Sequence, residues 1–279
     1  MAFRKSKWWG AVKPPSGAVI NWGHPLSFGL RARWMMNPDA GLILRESVGK
    51  KNGLLTGVSG SVPFWQSGKF GPSLLFPIGT NYVSLPTTIP LFGGAKQWTV
   101  SLWINPVTAT GSPFGDDLSS FTCYPTMRWS GSNYQFYAGD GAAFFVSGAL
   151  SSGSVVVGKW ELLTGVYDGS ATFRIYRNGV LNASPAVTAG ATLSTSATTF
   201  SISHVAGGSA PEFKGAVDDF CLWSRALTPS EVAQYYADPF CNILEPRRRI
   251  ISQAAAAAGF NAAWNVGANT VIQPGALQA

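Results

Sequence analysis

The chain has 279 residues, with 20 Lys and Arg against 13 Asp and Glu, a net charge of +7, yet only 12% of its residues are charged. At 46% hydrophobic residues it has ample apolar surface to offset ordering entropy, which excludes disorder as the overall state, and no apolar run nears the roughly 18 residues that span a bilayer. Its 32 Gly and 18 Pro punctuate it as turn formers do in an all-β protein.

The basic start holds Arg4, Lys5 and Lys7, then Trp8 and Trp9. The apolar stretch 8–12 is too short for a secretory core, so neither a membrane protein nor an exported one with a cleaved signal is expected. Charge is uneven. Residues 1–51 carry nine basic and two acidic groups (+7), residues 52–246 eight and eleven (−3), and residues 247–279 only Arg247, Arg248 and Arg249 (+3). A near-neutral body with basic ends reads as a core with contact arms, and strands poor in Lys and Arg are no nucleic-acid surface.

From about residue 55 to 223, short alternating segments separated by Gly, Ser and Pro predict strands. Residues 98–104 place Trp98, Val100, Leu102 and Ile104 on one face. Residues 172–181 read as a hairpin, because Asn178-Gly179 suits a two-residue turn needing positive φ at both positions. Segments 199–203 and 216–223 behave as strands. Two helices are expected. One is capped by Thr228, opens on Pro229 with Glu231 third, and stops at Asp238-Pro239; the other runs from Ser252 to Ala258.

Cys123, Cys221 and Cys241 form no disulfide framework; three reduced thiols are expected, with a Cys221–Cys241 pair as the alternative. Trp103, Trp160, Phe213 and Trp223 read as packing residues, and Asp168 and Asn178 as turn residues. Calcium needs six to eight oxygens, and the best local sources are Asp116 and Asp117, with Asp140 on a second loop. Sugars stack on exposed aromatics. Tyr124, Trp129, Tyr134 and Tyr137 lie in a stretch rich in Ser, Asn and Gly that suits this use, although alternate strand positions would equally make them core.

The order of Gly71-Pro-Ser-Leu-Leu-Phe76, Tyr82-Val83, Trp98-Thr-Val-Ser-Leu-Trp103, Gly158-Lys-Trp160, Val166-Tyr-Asp-Gly169, Ile175-Tyr-Arg-Asn-Gly179, Phe213-Lys-Gly-Ala-Val-Asp-Asp219 and Ser224-Arg-Ala-Leu227 resembles the laminin-G-like branch of concanavalin-A-like jelly rolls. The resemblance covers roughly residues 25–246 and implies an all-β, two-sheet antiparallel jelly-roll sandwich, about six or seven strands per sheet. It also implies a structural role for Asp218 and Asp219. Glycosidases on this fold carry a Glu-x-Asp-x-Glu type of strand; the body acids here form none, and adjacent ones on a strand point to opposite faces. His24 and His204 have no nucleophile elbow nearby, so no enzyme is expected.

Three segments follow: an N-terminal arm over 1–24, the jelly roll over 25–246 and a C-terminal arm over 247–279. The tail carries no charge from Ile250 to Ala279 yet includes Phe260 and Trp264, which suits docking on another subunit. Arg4, Lys5, Lys7, Trp8, Trp9, Arg247, Arg248, Arg249, Phe260 and Trp264 are thus the expected docking residues. Together with the resemblance, such ends imply a tailed-phage virion subunit. It would be a capsid decoration, head-fibre or tail-associated protein on the virion surface, bound to other virion subunits and to itself. Its jelly roll would face host glycans, with Ca2+ as a candidate cofactor. The alternative is a carbohydrate- or calcium-dependent binding module of a larger surface system.

Overall fold

Strict alternation makes strands here, and double-sided burial marks the central ones. A computed structural model describes residues 12–244, apart from 16, 38–40, 58–62, 78–80, 88–91, 116–120, 122–123, 131–132, 196–199 and 204–212. The chain divides after Leu244, and everything described belongs to the first unit. The expected helix over 252–258 and Cys123 lie outside the described residues.

Two antiparallel sheets of eight strands each form a sandwich, one or two strands per sheet more than expected. The first contains β1 (Leu30–Trp34), β4 (Phe64–Ser67), β5 (Pro72–Phe76), β7 (Trp98–Pro106), β12 (Glu161–Tyr167), β13 (Phe173–Arg177), β14 (Val180–Ala183) and β16 (Gly215–Trp223). Their order is β14-β13-β12-β7-β16-β5-β4, with β1 also on β16. The second contains β2 (Ile43–Leu44), β3 (Gly53–Thr56), β6 (Tyr82–Ser84), β8 (Gly111–Gly115), β9 (Thr126–Ser130), β10 (Asn133–Gly139), β11 (Phe144–Leu150) and β15 (Ser201–Ile202). Its order is β11-β10-β9-β8-β15-β6-β3-β2. Between the sheets, Trp98, Val100, Leu102 and Ile104 meet Trp129, Tyr134, Phe136 and Ile202 in one buried cluster. Asn178 (φ 51°) and Gly179 (φ 79°) make the turn between β13 and β14 that the Asn-Gly pair predicts.

The first sheet is buried on its other face as well. There Leu162, Val166, Cys221 and Trp223 pack against Leu26, Val232, Tyr235 and Phe240. The cover includes α1 (Pro229–Ala237), whose Thr228 and Glu231 form a reciprocal capping box. Residues 13–15 and 17–24, which the sequence assigns to the N-terminal arm, join this layer because backbone groups among them find partners there. Lys13 N donates to Phe70 O (2.9 Å), Asn21 N to Asn242 O (2.8 Å), and Leu244 N to Val19 O (2.8 Å). Cys221 and Cys241 are free thiols.

One edge of β16 is shared: residues 215–217 pair with β5 and residues 220–223 with β1. At the changeover Asp219 adopts φ 41° and the register to β7 slips. Asp218 and Asp219 are fully buried there, each paired with a basic side chain. Asp218 pairs with Lys13. Arg33 holds Asp219 through Nε and Nη2, both at 2.8 Å, and donates to Asn242 Oδ1 (2.8 Å) and Pro239 O (2.9 Å). Tyr235 donates to Asp219 Oδ2 at 2.6 Å.

Burial pushes the Asp218 carboxyl up to about 7 and Lys13 downward, each toward its neutral form. The Asp218 contribution to stability is therefore fully present below pH 3.8 and is lost as pH rises through about 7; Lys13 acts oppositely, losing its contribution as pH falls from 10.5 through its lowered value. Across pH 3.8 to 7 the urea midpoint of the wild type should fall relative to that of Asp218→Asn, which cannot titrate. Parallel midpoint profiles would refute the assignment.

Candidate ligand-binding site

Beside this polar junction the chain leaves a cleft. Glu46 creates one wall. Its carboxylate accepts N–H bonds from Arg33 (2.8 Å), Val48 (2.7 Å), Gly49 (2.5 Å) and Lys51 (3.3 Å), gathering the 46–51 loop into a tight bend. Lys50 sits in that bend at φ 58°. Asn52 Oδ1 accepts from Glu46 N at 3.0 Å. The opposite wall is the 17–22 segment, held by the bonds of Val19 and Asn21 to the 242–244 stretch.

The cleft measures about 470 Å³ and is lined by Val19, Trp22, Met35, Arg45, Lys50 and Asn52, among others. Trp22 is 59% exposed. An exposed indole, flanked by amide and cationic groups in a pocket of this size, can take the apolar face of a sugar while its hydroxyls find hydrogen bonds. Trp22 escaped the sequence reading because it lies outside every alternating segment. The one local signal is its place in the Asn21-Trp22-Gly23 turn, where Asn21 Oδ1 accepts from Gly23 N at 3.2 Å.

The four aromatics expected to bind ligand divide three to one. Tyr124 (2% exposed), Trp129 (0%) and Tyr134 (0%) are core. Tyr124 sits edge-on to Phe92 and Phe200, Trp129 edge-on to Tyr134 and Phe213, and no ring face is left for a sugar. The Tyr134 hydroxyl donates to Glu161 Oε2 (2.9 Å), and Glu161 in turn pairs with Arg177 (2.7 Å). Tyr137 alone is turned outward, because β10 alternates and its Tyr134, Phe136 and Ala138 take the core face.

Asp140 caps its own turn: Oδ1 accepts from Ala142 N (2.7 Å) and Ala143 N (2.8 Å), which lowers its pKa. Asp116 and Asp117 lie outside the described residues. Among the described residues no three His, Cys, Asp or Glu side chains gather to hold a metal ion. His24 caps the short turn Pro25–Ser27, its Nδ1 accepting from Leu26 N at 3.2 Å; His204 lies outside the described residues. The expected docking residues Arg4, Lys5, Lys7, Trp8, Trp9, Arg247, Arg248, Arg249, Phe260 and Trp264 lie outside them too.

Two antiparallel sheets around an aromatic core, with a short helix after the last strand, define a lectin-like jelly roll. The chain belongs to the concanavalin A-like lectin/glucanases superfamily, whose family model matches residues 78–233, more than half of its length. No curated protein matches it in sequence. Among solved structures it is similar to domain 4 of AbnA, a GH43 extracellular arabinanase from Geobacillus stearothermophilus, determined with arabinotriose. That match has 24% identity and a TM-score of 0.52, covering 73% of this chain and 96% of that domain. The Trypanosoma rangeli sialidase with 2,3-difluorosialic acid matches at 15% identity and TM-score 0.54, covering 75% of this chain and 33% of the sialidase. The binding domain of Paraclostridial Mosquitocidal Protein 1 matches at 13% and 0.54, covering 75% and 52%. Identities this low show a shared fold.

Proposed function

We propose that this chain is a non-enzymatic glycan-binding module whose sugar stacks on Trp22 in the cleft beside the 46–51 loop. The carrying observation is that indole, 59% exposed at the mouth of a 470 Å³ cleft. A similar fold determined with arabinotriose supports the reading. So does the state of the described carboxylates. Asp218 and Asp219 are 0% exposed against Lys13 and Arg33, and Glu161 is buried against Arg177, so none of these three is open to a substrate. The virion reading draws on the basic and aromatic ends of the sequence; the fold favours the binding module.

Trp22→Ala should weaken the tightest-binding oligosaccharide from a glycan array by about tenfold or more in calorimetric titration, roughly 1.4 kcal/mol. The melting temperature should hardly move, since the removed side chain is exposed. Unchanged affinity in the variant, or an array on which the wild-type chain binds nothing, would defeat the proposal.

A further inference from the structure

We infer that the outer face of the second sheet carries a separate subsite for a carboxylate-bearing sugar, built on Arg128, Gln135 and Tyr137. The inference stands apart from the cleft and does not depend on it. β9 and β10 pair antiparallel with Arg128 opposite Gln135, and Tyr137 follows two residues on along the same outward row. The three side chains close a ring of hydrogen bonds. Arg128 Nη2 donates to the Tyr137 hydroxyl (2.7 Å), Arg128 Nε donates to Gln135 Oε1 (3.3 Å), and the Tyr137 hydroxyl donates to that same oxygen (3.1 Å). The guanidinium also lies 4.6 Å from the centre of the Tyr137 ring.

This arginine is fixed by neutral partners, and among the described residues it has neither a carboxylate partner nor a bond from Nη1. A buttressed guanidinium with a free edge is an oxyanion receptor, because the rotamer entropy of the side chain is already spent. Phe144 packs edge-on to Tyr137 (5.8 Å) and Phe121 edge-on to Phe144 (5.1 Å), extending the row as an apolar strip. Phe121 is 46% exposed at its end. Gly148 on β11 keeps the strip open beside Tyr137: a Cβ there would stand 3.2 Å from the tyrosine hydroxyl. A cation at one end of an apolar strip matches a uronic acid unit, which joins a carboxylate to the apolar face of a pyranose ring.

The test titrates the full chain with oligogalacturonate and with its methyl ester, the same sugar without the charge. The acid should bind, the ester about tenfold or more weaker, and the acid should shift the Arg128 Nε–H resonance. Arg128→Gln should lose the preference for acid over ester, Arg128→Lys should keep a reduced one, and Tyr137→Phe, which removes a positioning hydroxyl, should weaken the acid several-fold. Trp22→Ala should bind the acid as the wild type does. Equal binding of acid and ester, no binding of either, or wild-type behaviour of Arg128→Gln would overturn the inference. Loss of acid binding in Trp22→Ala would assign the acid to the cleft instead, overturning this subsite while leaving the cleft reading in place.

Discussion

Arg33→Met should cost about 3–5 kcal/mol of folding stability, read as a lower denaturant midpoint at unchanged slope. The size follows from what the guanidinium leaves behind. Asp219, Asn242 Oδ1 and the Pro239 carbonyl all depend on it, and Asp219 is 0% exposed, so its charge would stay buried with, among the described residues, the Tyr235 hydroxyl and the weak Cys221 thiol donor (3.9 Å) to answer it. Desolvation alone would lower the Arg33 pKa, yet Asp219 beside it turns the shift upward, which keeps this cation charged. Adding Asp219→Asn to Arg33→Met should recover part of the loss, because the amide removes the unpaired charge and Asn tolerates the φ of 41° at that position. A single variant as stable as the wild type would show that Asp219 is satisfied without Arg33.

Trp129→Ala should cost about as much, 3–5 kcal/mol, through the cavity it opens. The indole is 0% exposed and packs edge-on against Tyr134 and Phe213 at 5.4 and 5.6 Å. If Trp129 were the stacking residue that the sequence offers as one of two readings, the same substitution would abolish sugar binding; as a core residue it leaves the folded fraction binding sugar as before. Binding measured well below the variant's melting temperature separates the two. Full affinity there places Trp129 in the core, and lost affinity in a folded variant returns it to a ligand.

That contrast shows where the sequence was informative. Strand positions such as Trp98, Val100, Leu102 and Ile104 were legible because period-two alternation reports burial directly, and the Thr228–Glu231 cap because its chemistry is local. Alternation is harder to read where, as in β10, both rows of the strand carry an aromatic residue. Tyr134 and Tyr137 lie three residues apart in one strand and so on opposite faces, and the packing of Tyr134 against Trp129 between the sheets shows which face is core. The partners of Asp218 and Asp219 were illegible for another reason: Lys13 and Arg33 stand 205 and 186 residues away, with no local spacing to link them. The cleft depended on the same kind of distant closure, with the 17–22 wall held by residues 242–244.

The shared edge of β16 also has a consequence for how the molecule is made. The centre of the first sheet pairs residues 215–223 with strands that begin at Leu30, Pro72 and Trp98, so a ribosome must synthesise nearly all of the described chain before that strand exists. Until then β7, covered on both faces in the finished fold, has one flank empty, and Lys13 and Arg33 have no carboxylates to meet. Sequence-distant pairing of this sort closes slowly and leaves open strand edges exposed while it waits. For this chain, the interval between emergence of residue 106 and emergence of residue 223 is the period of greatest exposure to aggregation, and the one in which a holding chaperone would matter most.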